Sequence, residues 1–315
     1  MVNISLQEVE SITCAALVNV GTRLKAAESV ARAVAAAERD GIKSHGMAYV
    51  PTYCDHVLCG KVLGAAEPLV EQVRPGAVRV DARNGFAHPA IDEGFTKLIE
   101  SAESNGCAAL TIFNSYNCGV LGYHVEHLAR KGYLSLGFTN APASIAPIGG
   151  TKPVIGTNPY AIGVPDGAGS VHIVIDQSAS VVAKSEVMRH ARERLPIPEG
   201  WSLDADGRPT TDPERALAGS MVPAGGYKGF GAGLFVELMA AALSGAVLSS
   251  EASPFSGPKG GPPATGQCFI ALDVGGLSGG MFSKRVTALC DSISTQEGAR
   301  LPGARRIAHR TIADK

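Results

Sequence analysis

The sequence predicts an α/β (α+β) fold: a sheet of some size with helices around it. Three observations carry this. The stretch up to about residue 63 reads as helices, the texture changes near residue 68 to apolar–polar alternation between turn residues, and strand and helix patterns then take turns through the middle of the chain. At 315 residues the chain is long enough for one large domain or two lobes with separate cores.

The elements follow in order. "SLQEVESITCAALVNVGT" (5–22) has Ser5 as an N-cap with Glu8 three residues on, the spacing of a capping box. "LKAAESVARAVAAAERDG" (24–41) is alanine-rich and ends at Gly41, a C-cap residue. These two helices lead into "KSHG", which sets His45 just past a helix end. "VPTYCDHVLCGKV" (50–62) reads as a short helix, and "LVEQVRPGAVRVDARNGFAH" (69–88) as a hairpin. A helix at 89–106, a strand "CAALTIFNS" ending in the polar loop "NSYNCG", a helix at 120–132 and a strand "YLSLGFTN" come next. "GSVHIVIDQSAS" (169–180) is a strand running into a polar loop. "GFGAGLFVELMAAALSG" (229–245) is a helix with apolar residues all round, which predicts burial. Two segments, 195–216 and 249–267, are rich in proline and glycine and read as surface connections. One as long as the second is either disordered or tied to function.

Composition excludes several classes. Hydrophobic residues make up 45%, and 28 basic against 29 acidic residues leave a net charge of −1, so nothing favours nucleic acid or an anionic membrane surface. The longest apolar run, "GLFVELMAAALSGAVL", is broken by a charge and glycines and falls short of a membrane span. "MVNISLQEVESIT" has neither the basic nor the apolar part of a secretory signal, so a cytoplasmic location is expected. The seven cysteines are scattered and none is spaced as CxxC. That predicts free, mostly buried thiols and no zinc site.

Motif by motif, the chemistry is underdetermined. "GFGAGLF" lacks the preceding strand and the ribose-binding acid of a dinucleotide fingerprint. "GGYKG" sets Lys228 among glycines before a helix, which either holds a phosphate or is a plain turn. "SHG" is three common residues, yet a histidine titrates near neutral pH and a neighbouring hydroxyl can fix its tautomer.

The ordered set says more. "KSHG", "NGFAHPA", "NS....G...Y", "TNAPASIAPIGGTKPVIGTNPYAIGVP", "VIDQSASVVAKSE", "PEGWSLDADGRPTTDP", "PAGGYKGFGAGLFVELMAAALSGA" and "GARLPGARR" occur in that order over nearly the whole chain. The chain closely resembles the type 2 malate/L-lactate dehydrogenase family, which includes sulfolactate and ureidoglycolate dehydrogenases and the Δ1-piperideine-2-carboxylate/Δ1-pyrroline-2-carboxylate reductases. The resemblance implies a non-Rossmann, sulfolactate dehydrogenase-like fold. A helical region, 1–67 completed by 246–315, would join a sheet-based NAD(P)-binding domain, 68–245, in a homodimer with the site near the subunit interface. It makes His45 the proton donor, oriented by Ser44 and by a carboxylate falling on Glu186. Thr157 matches a substrate-contacting threonine. The cofactor-binding stretches fall on Tyr116, Asn117, Cys118, Gly119 and Val120, on Ile175, Asp176 and Gln177, on Tyr227 with Lys228, and on Arg300, Arg305 and Arg306. The basic C-terminal cluster favours NADP(H), with NAD(H) as the alternative.

Two departures bear on the substrate. Where the family usually has a carboxylate-gripping arginine, three residues after the glycine of SHG, this chain has Tyr49, which donates one hydrogen bond but forms no bidentate ion pair. Lys43, Arg83 or a partner-subunit residue would have to compensate. Where many members carry a histidine in the "NS" loop, this chain has Tyr116 and Asn117. The resemblance therefore points to reduction of a small cyclic 2-imino carboxylate. A 2-hydroxy/2-oxo acid pair is the runner-up, and a catalytically silent relative acting as a binding protein the rival from another class.

Overall fold

A computed structural model describes residues 4–313. The chain opens with α1 (Leu6–Asn19), α2 (Leu24–Arg39) and α3 (Val50–Leu58). Ser5 and Glu8 close both halves of the expected capping box on α1, and Gly41 follows α2 in the left-handed region. Between α2 and α3 the chain makes two short 3₁₀ turns, Lys43–His45 and Met47–Tyr49.

The predicted hairpin forms β1 (Leu69–Arg74) and β2 (Ala77–Asp81), followed by α4 (Ala87–Asn105), β3 (Cys107–Ser115), α5 (Leu121–Arg130) and β4 (Tyr133–Thr139). β5 (Tyr160–Pro165) and β6 (Val171–Gln177) continue the sheet, and α6 (Lys184–Glu193) leaves it. Residues 195–216 are not a featureless connection. They build much of a small three-stranded sheet of β7 (Ser202–Leu203), β8 (Pro209–Thr210) and, past α7 (Pro213–Ala218), β9 (Ser220–Met221). Then come α8 (Tyr227–Glu237), with a π turn at Leu238–Ala242, β10 (Thr265–Asp273), α9 (Val274–Ser278), α10 (Phe282–Ser294) and α11 (Ala304–Ala313).

The main sheet has seven strands in the order β1-β2-β3-β10-β4-β5-β6. All neighbours are antiparallel except β2 and β3, which α4 joins by a crossover. Placing β10 in the middle corrects the expectation that 246–315 belongs to the helical region. "TGQCFIALD" is largely buried and shows no clean alternation, so its sequence carries no period-2 signal. α4 and α5 cover one face, where Phe95, Leu98, Leu110, Ile112, Val125, Leu128 and Phe269 form the largest core cluster. Each such side chain contributes about 1.5–3 kcal/mol on burial. α8 and its π turn lie on the other face against Phe138 and Cys268.

α8 itself corrects a second expectation. Val236, Ala240 and Ala241 are buried, but Leu234, Phe235, Leu238 and Leu243 are 43–59% exposed. The helix is apolar all round, yet within one chain only one side is covered. The thiols divide similarly: Cys118, Cys268 and Cys290 are buried, while Cys59 and Cys107 are exposed.

α2 is tied to α4 by Ser29 to Asp92 (2.6 Å), Arg32 to Asp92 (2.9 Å) and Lys25 to Glu93 (2.8 Å). Among the described residues no helix is long and apolar enough to cross a membrane.

Candidate active site

The turn after α2 is shaped by Glu38. Its carboxylate accepts the Met47 N–H at 2.8 Å and lies so close to Gly46 that a Cβ there would collide with it. This is a steric reason for glycine after the histidine. His45 is then held half-buried, with Ser44 Oγ at 3.0 Å from its Nδ1 and the Tyr49 ring stacked at 6.3 Å. Burial lowers its pKa, Asp176 pulls it back up and Arg306 lowers it further. The resting imidazole is therefore biased towards its neutral form.

Asp176 is the carboxylate whose charge raises the His45 pKa. It sits at the end of β6, where Oδ2 accepts from the Gly122 N–H at 3.0 Å, in the first turn of α5, and from Arg306 Nη2 at 2.7 Å. The three groups are in contact: a Cβ at Gly122 would collide with both the Arg306 guanidinium and the Asp176 carboxylate. The sequence assigned Asp176 to the cofactor stretch and gave the orienting role to Glu186. The structure does not bring Glu186 to the histidine. Its carboxylate accepts from Arg189 at 3.0 and 3.1 Å on its own helix, and the charges felt by His45 are those of Asp176 and Arg306.

The 116–120 stretch forms the loop between β3 and α5. Gly119 has φ +69, and its N–H donates to Asn117 Oδ1 at 2.7 Å. Tyr116 and Cys118, expected at the cofactor, turn their side chains inward. Tyr116 is 1% exposed, and its hydroxyl lies 2.5 Å from His56 Nδ1. The loop can meet a ligand through its backbone, Asn117, Gly119 and Val120, but not through those two side chains. Beneath it lie Tyr53 and His88, both buried; burial first, then the charges of His124 and His45, hold His88 well below the usual histidine range.

The remaining expected residues spread along the sheet edge and the chain end. Thr157 is half-buried and its carbonyl accepts the Ala179 N–H at 2.8 Å, which anchors the loop after β6. Ile175 is half-buried, and Gln177 is exposed and bonded to the Tyr160 hydroxyl at 2.9 Å. Tyr227 and Lys228 are exposed at the start of α8. The "RLPG" segment runs along β6, with the Val174 N–H reaching the Pro302 carbonyl at 3.4 Å. That brings Arg306 to the site and leaves Arg300 and Arg305 exposed. Lys43 is exposed. Arg83 follows β2, its N–H bonded to Asp81. The sequence singled out Tyr49 but left aside α3, which follows it and packs beside the same cluster. Tyr49, Tyr53 and His56 stand at i, i+4 and i+7, one helical stripe, and that spacing was the available signal.

A half-buried histidine beside a serine, under the opposed charges of an aspartate and an arginine, has the chemistry to move one proton to or from a small molecule. Comparison with known proteins gives the chain its family. The model of the malate/L-lactate dehydrogenase family matches residues 4–315, and the chain belongs to that family. It is an oxidoreductase. It is 46% identical over 307 residues to a (2R)-3-sulfolactate dehydrogenase (NADP(+)) of Chromohalobacter salexigens, covering 98% of this chain and 91% of that one. It is 37% identical over 316 residues to a Δ1-pyrroline-2-carboxylate/Δ1-piperideine-2-carboxylate reductase of Pseudomonas putida, covering 100% and 92%. The crystal structure of the Δ1-piperideine-2-carboxylate reductase from Pseudomonas syringae pvar. tomato superposes with a TM-score of 0.93 at 36% identity, over 99% of this chain and 94% of that one.

Proposed function

We propose that the protein reduces Δ1-pyrroline-2-carboxylate and Δ1-piperideine-2-carboxylate with NADPH, giving L-proline and L-pipecolate. Tyr49 is the observation that carries this reading. It puts a phenol ring, stacked on His45 and set edge-on to Tyr53 at 4.8 Å, where a dicarboxylate or sulfonate would need a second cation. A compact cyclic imine gains from an aromatic wall and a single hydroxyl donor. The names of the Pseudomonas relatives support it. A second reading, a 2-hydroxyacid dehydrogenase of the sulfolactate kind, is favoured by the 46% identical relative.

The residues fit a nicotinamide dinucleotide. The positive-φ turn at Gly119 lets a ligand approach the backbone beside the start of α5, and Lys228, Arg300 and Arg305 offer exposed cations for phosphates, including the 2′-phosphate of NADP(H). The bound nicotinamide supplies hydride to the carbon beside the substrate carboxylate. His45 gives its proton to the imine nitrogen, or to a carbonyl oxygen in the second reading. Ser44 holds Nδ1, so that Nε2 faces the substrate. Asp176 stabilises the charged imidazole, and Arg306 keeps that carboxylate in place. In this assignment the sheet is the cofactor domain, outside a doubly wound Rossmann arrangement, and the helices of the two chain ends complete the site. The exposed apolar side of α8 is the surface on which a homodimer forms.

A side-by-side kinetic screen of cyclic imines and 2-oxo acids with NADPH and NADH, repeated on Tyr49→Arg, tests the assignment. The wild type is expected to prefer the imines, and Tyr49→Arg to raise activity on dicarboxylates. A tenfold wild-type preference for 3-sulfopyruvate, oxaloacetate or pyruvate, about 1.4 kcal/mol of transition-state preference, selects the second reading.

A further inference from the structure

Lys61 is fully buried, at 0% exposure, and its ammonium faces backbone rather than a carboxylate. Nζ donates to the carbonyl of Pro254 at 2.5 Å and reaches that of Ser256 at 3.5 Å. Between them, the Phe255 carbonyl accepts from the Tyr49 hydroxyl at 3.4 Å, and His56 reaches the backbone of Gly257. Four consecutive residues of the glycine- and proline-rich loop are thus held by side chains from one short stretch, 49–61. The loop turns the Phe255 ring onto Tyr116 at 5.6 Å. Tyr116 and Tyr49 pack in the same cluster as Tyr53 and Phe86, and Tyr49 is the ring stacked on His45.

Burying an ammonium against carbonyls alone is costly, and an apolar side chain of the same length would fill the space at lower cost. A purely structural role therefore accounts poorly for a lysine here. Its distinctive contribution is to grip two carbonyls on either side of one aromatic residue.

We propose that Lys61 is a positioning residue for the reaction. By clasping Pro254 and Ser256 it fixes Phe255, and through it Tyr116 and Tyr49, as the wall beside His45 that selects a small cyclic substrate. The inference rests on the reading of His45 and Tyr49 given above. It also gives the long 249–264 loop a role: through Phe255 the loop packs on Tyr116, beside Tyr49.

The experiment compares Lys61→Met with wild type by hydrogen exchange and by steady-state kinetics on both substrate classes. Met keeps the stem and removes the donor. Amide exchange in residues 253–260 is expected to accelerate, with KM for the preferred substrate rising about tenfold, ~1.4 kcal/mol. The kcat and the NADPH dissociation constant stay within a few-fold, because the His45–Ser44 pair and the backbone of Asn117, Gly119 and Val120 make no contact with Lys61. Phe255→Ala, which keeps the clasp and removes the ring, is expected to raise KM in the same way without loosening the loop, and serves where Lys61→Met fails to fold. Unchanged exchange in Lys61→Met overturns the clasp, and an unchanged KM in Phe255→Ala overturns its role in selection. Turnover of neither substrate class by wild type defeats the reaction reading instead, and the exchange measurement then decides the clasp.

Discussion

At the scale of single residues, the proposed site is a histidine whose charge is contested. Burial and Arg306 favour the neutral ring, and Asp176 the charged one, with the balance below the ordinary histidine value. The sign for catalysis follows. In the proposed mechanism reduction needs the protonated ring, so kcat/KM for reduction should fall as pH rises through this lowered pKa, while oxidation of the product should rise over the same interval. His45→Ala should cut turnover by about 10²–10⁴-fold and flatten both limbs, with cofactor affinity nearly intact. Asp176→Asn should move the reductive limb to lower pH, whereas Glu186→Gln should leave it in place. A limb moved by Glu186→Gln and not by Asp176→Asn would restore the sequence-based assignment. The Ser44–His45 pairing was legible in the sequence because the two are adjacent and their hydrogen bond is local. The influence of Asp176 was not legible, because 131 positions separate it from His45 and only the fold brings its charge to bear. Glu186 stands ten residues on, in the same quoted motif, and within the chain its carboxylate accepts from Arg189.

At the scale of elements, legibility followed the burial pattern. Helices with one wet face and the β1–β2 hairpin announced themselves, as did β3, whose nine residues match the expected strand end to end. β10 did not, because a central strand buried on both faces loses alternation and lies behind a glycine–proline loop. α8 was misread for the converse reason. An all-round apolar helix was taken for a buried one, but Leu234, Phe235, Leu238 and Leu243 face outwards. The subunit contact proposed for this face is testable apart from catalysis. Phe235→Glu with Leu238→Glu should leave the chain folded by circular dichroism and halve its mass by light scattering. An unchanged mass would move the subunit contact off this helix.

At the scale of the whole molecule, the chain's two ends are fastened to each other and to the sheet through one guanidinium. Arg310 of α11 binds Asp40, at the end of α2, at 2.6 and 2.7 Å, and Glu126 of α5 at 2.6 and 2.7 Å. All three side chains are nearly buried, at 12%, 7% and 8% exposure. The His309 imidazole adds a bond to the Arg39 carbonyl at 2.9 Å. This junction adjoins both parts of the proposed site: α2 runs out into the His45 loop, and Arg306 lies in the first turn of α11. Removing one partner of a buried ion cluster strands the others, so Arg310→Met should destabilise the fold by about 3–5 kcal/mol. Burial pushes Glu126 up, but Arg310 and Arg130 together hold it below the usual glutamate value. A depressed folded-state pKa contributes stability that is present above the unfolded value, about 4.3, and is lost as pH falls through the folded one. Wild type should therefore lose part of its denaturant midpoint on acidification below pH ~4, and Arg310→Met should lose less, having less to lose. Equal pH slopes in the two proteins would show that the junction is held by helix packing and not by its charges. A stability loss without any change in the His45 pH profile would show that the junction secures the fold without tuning the site.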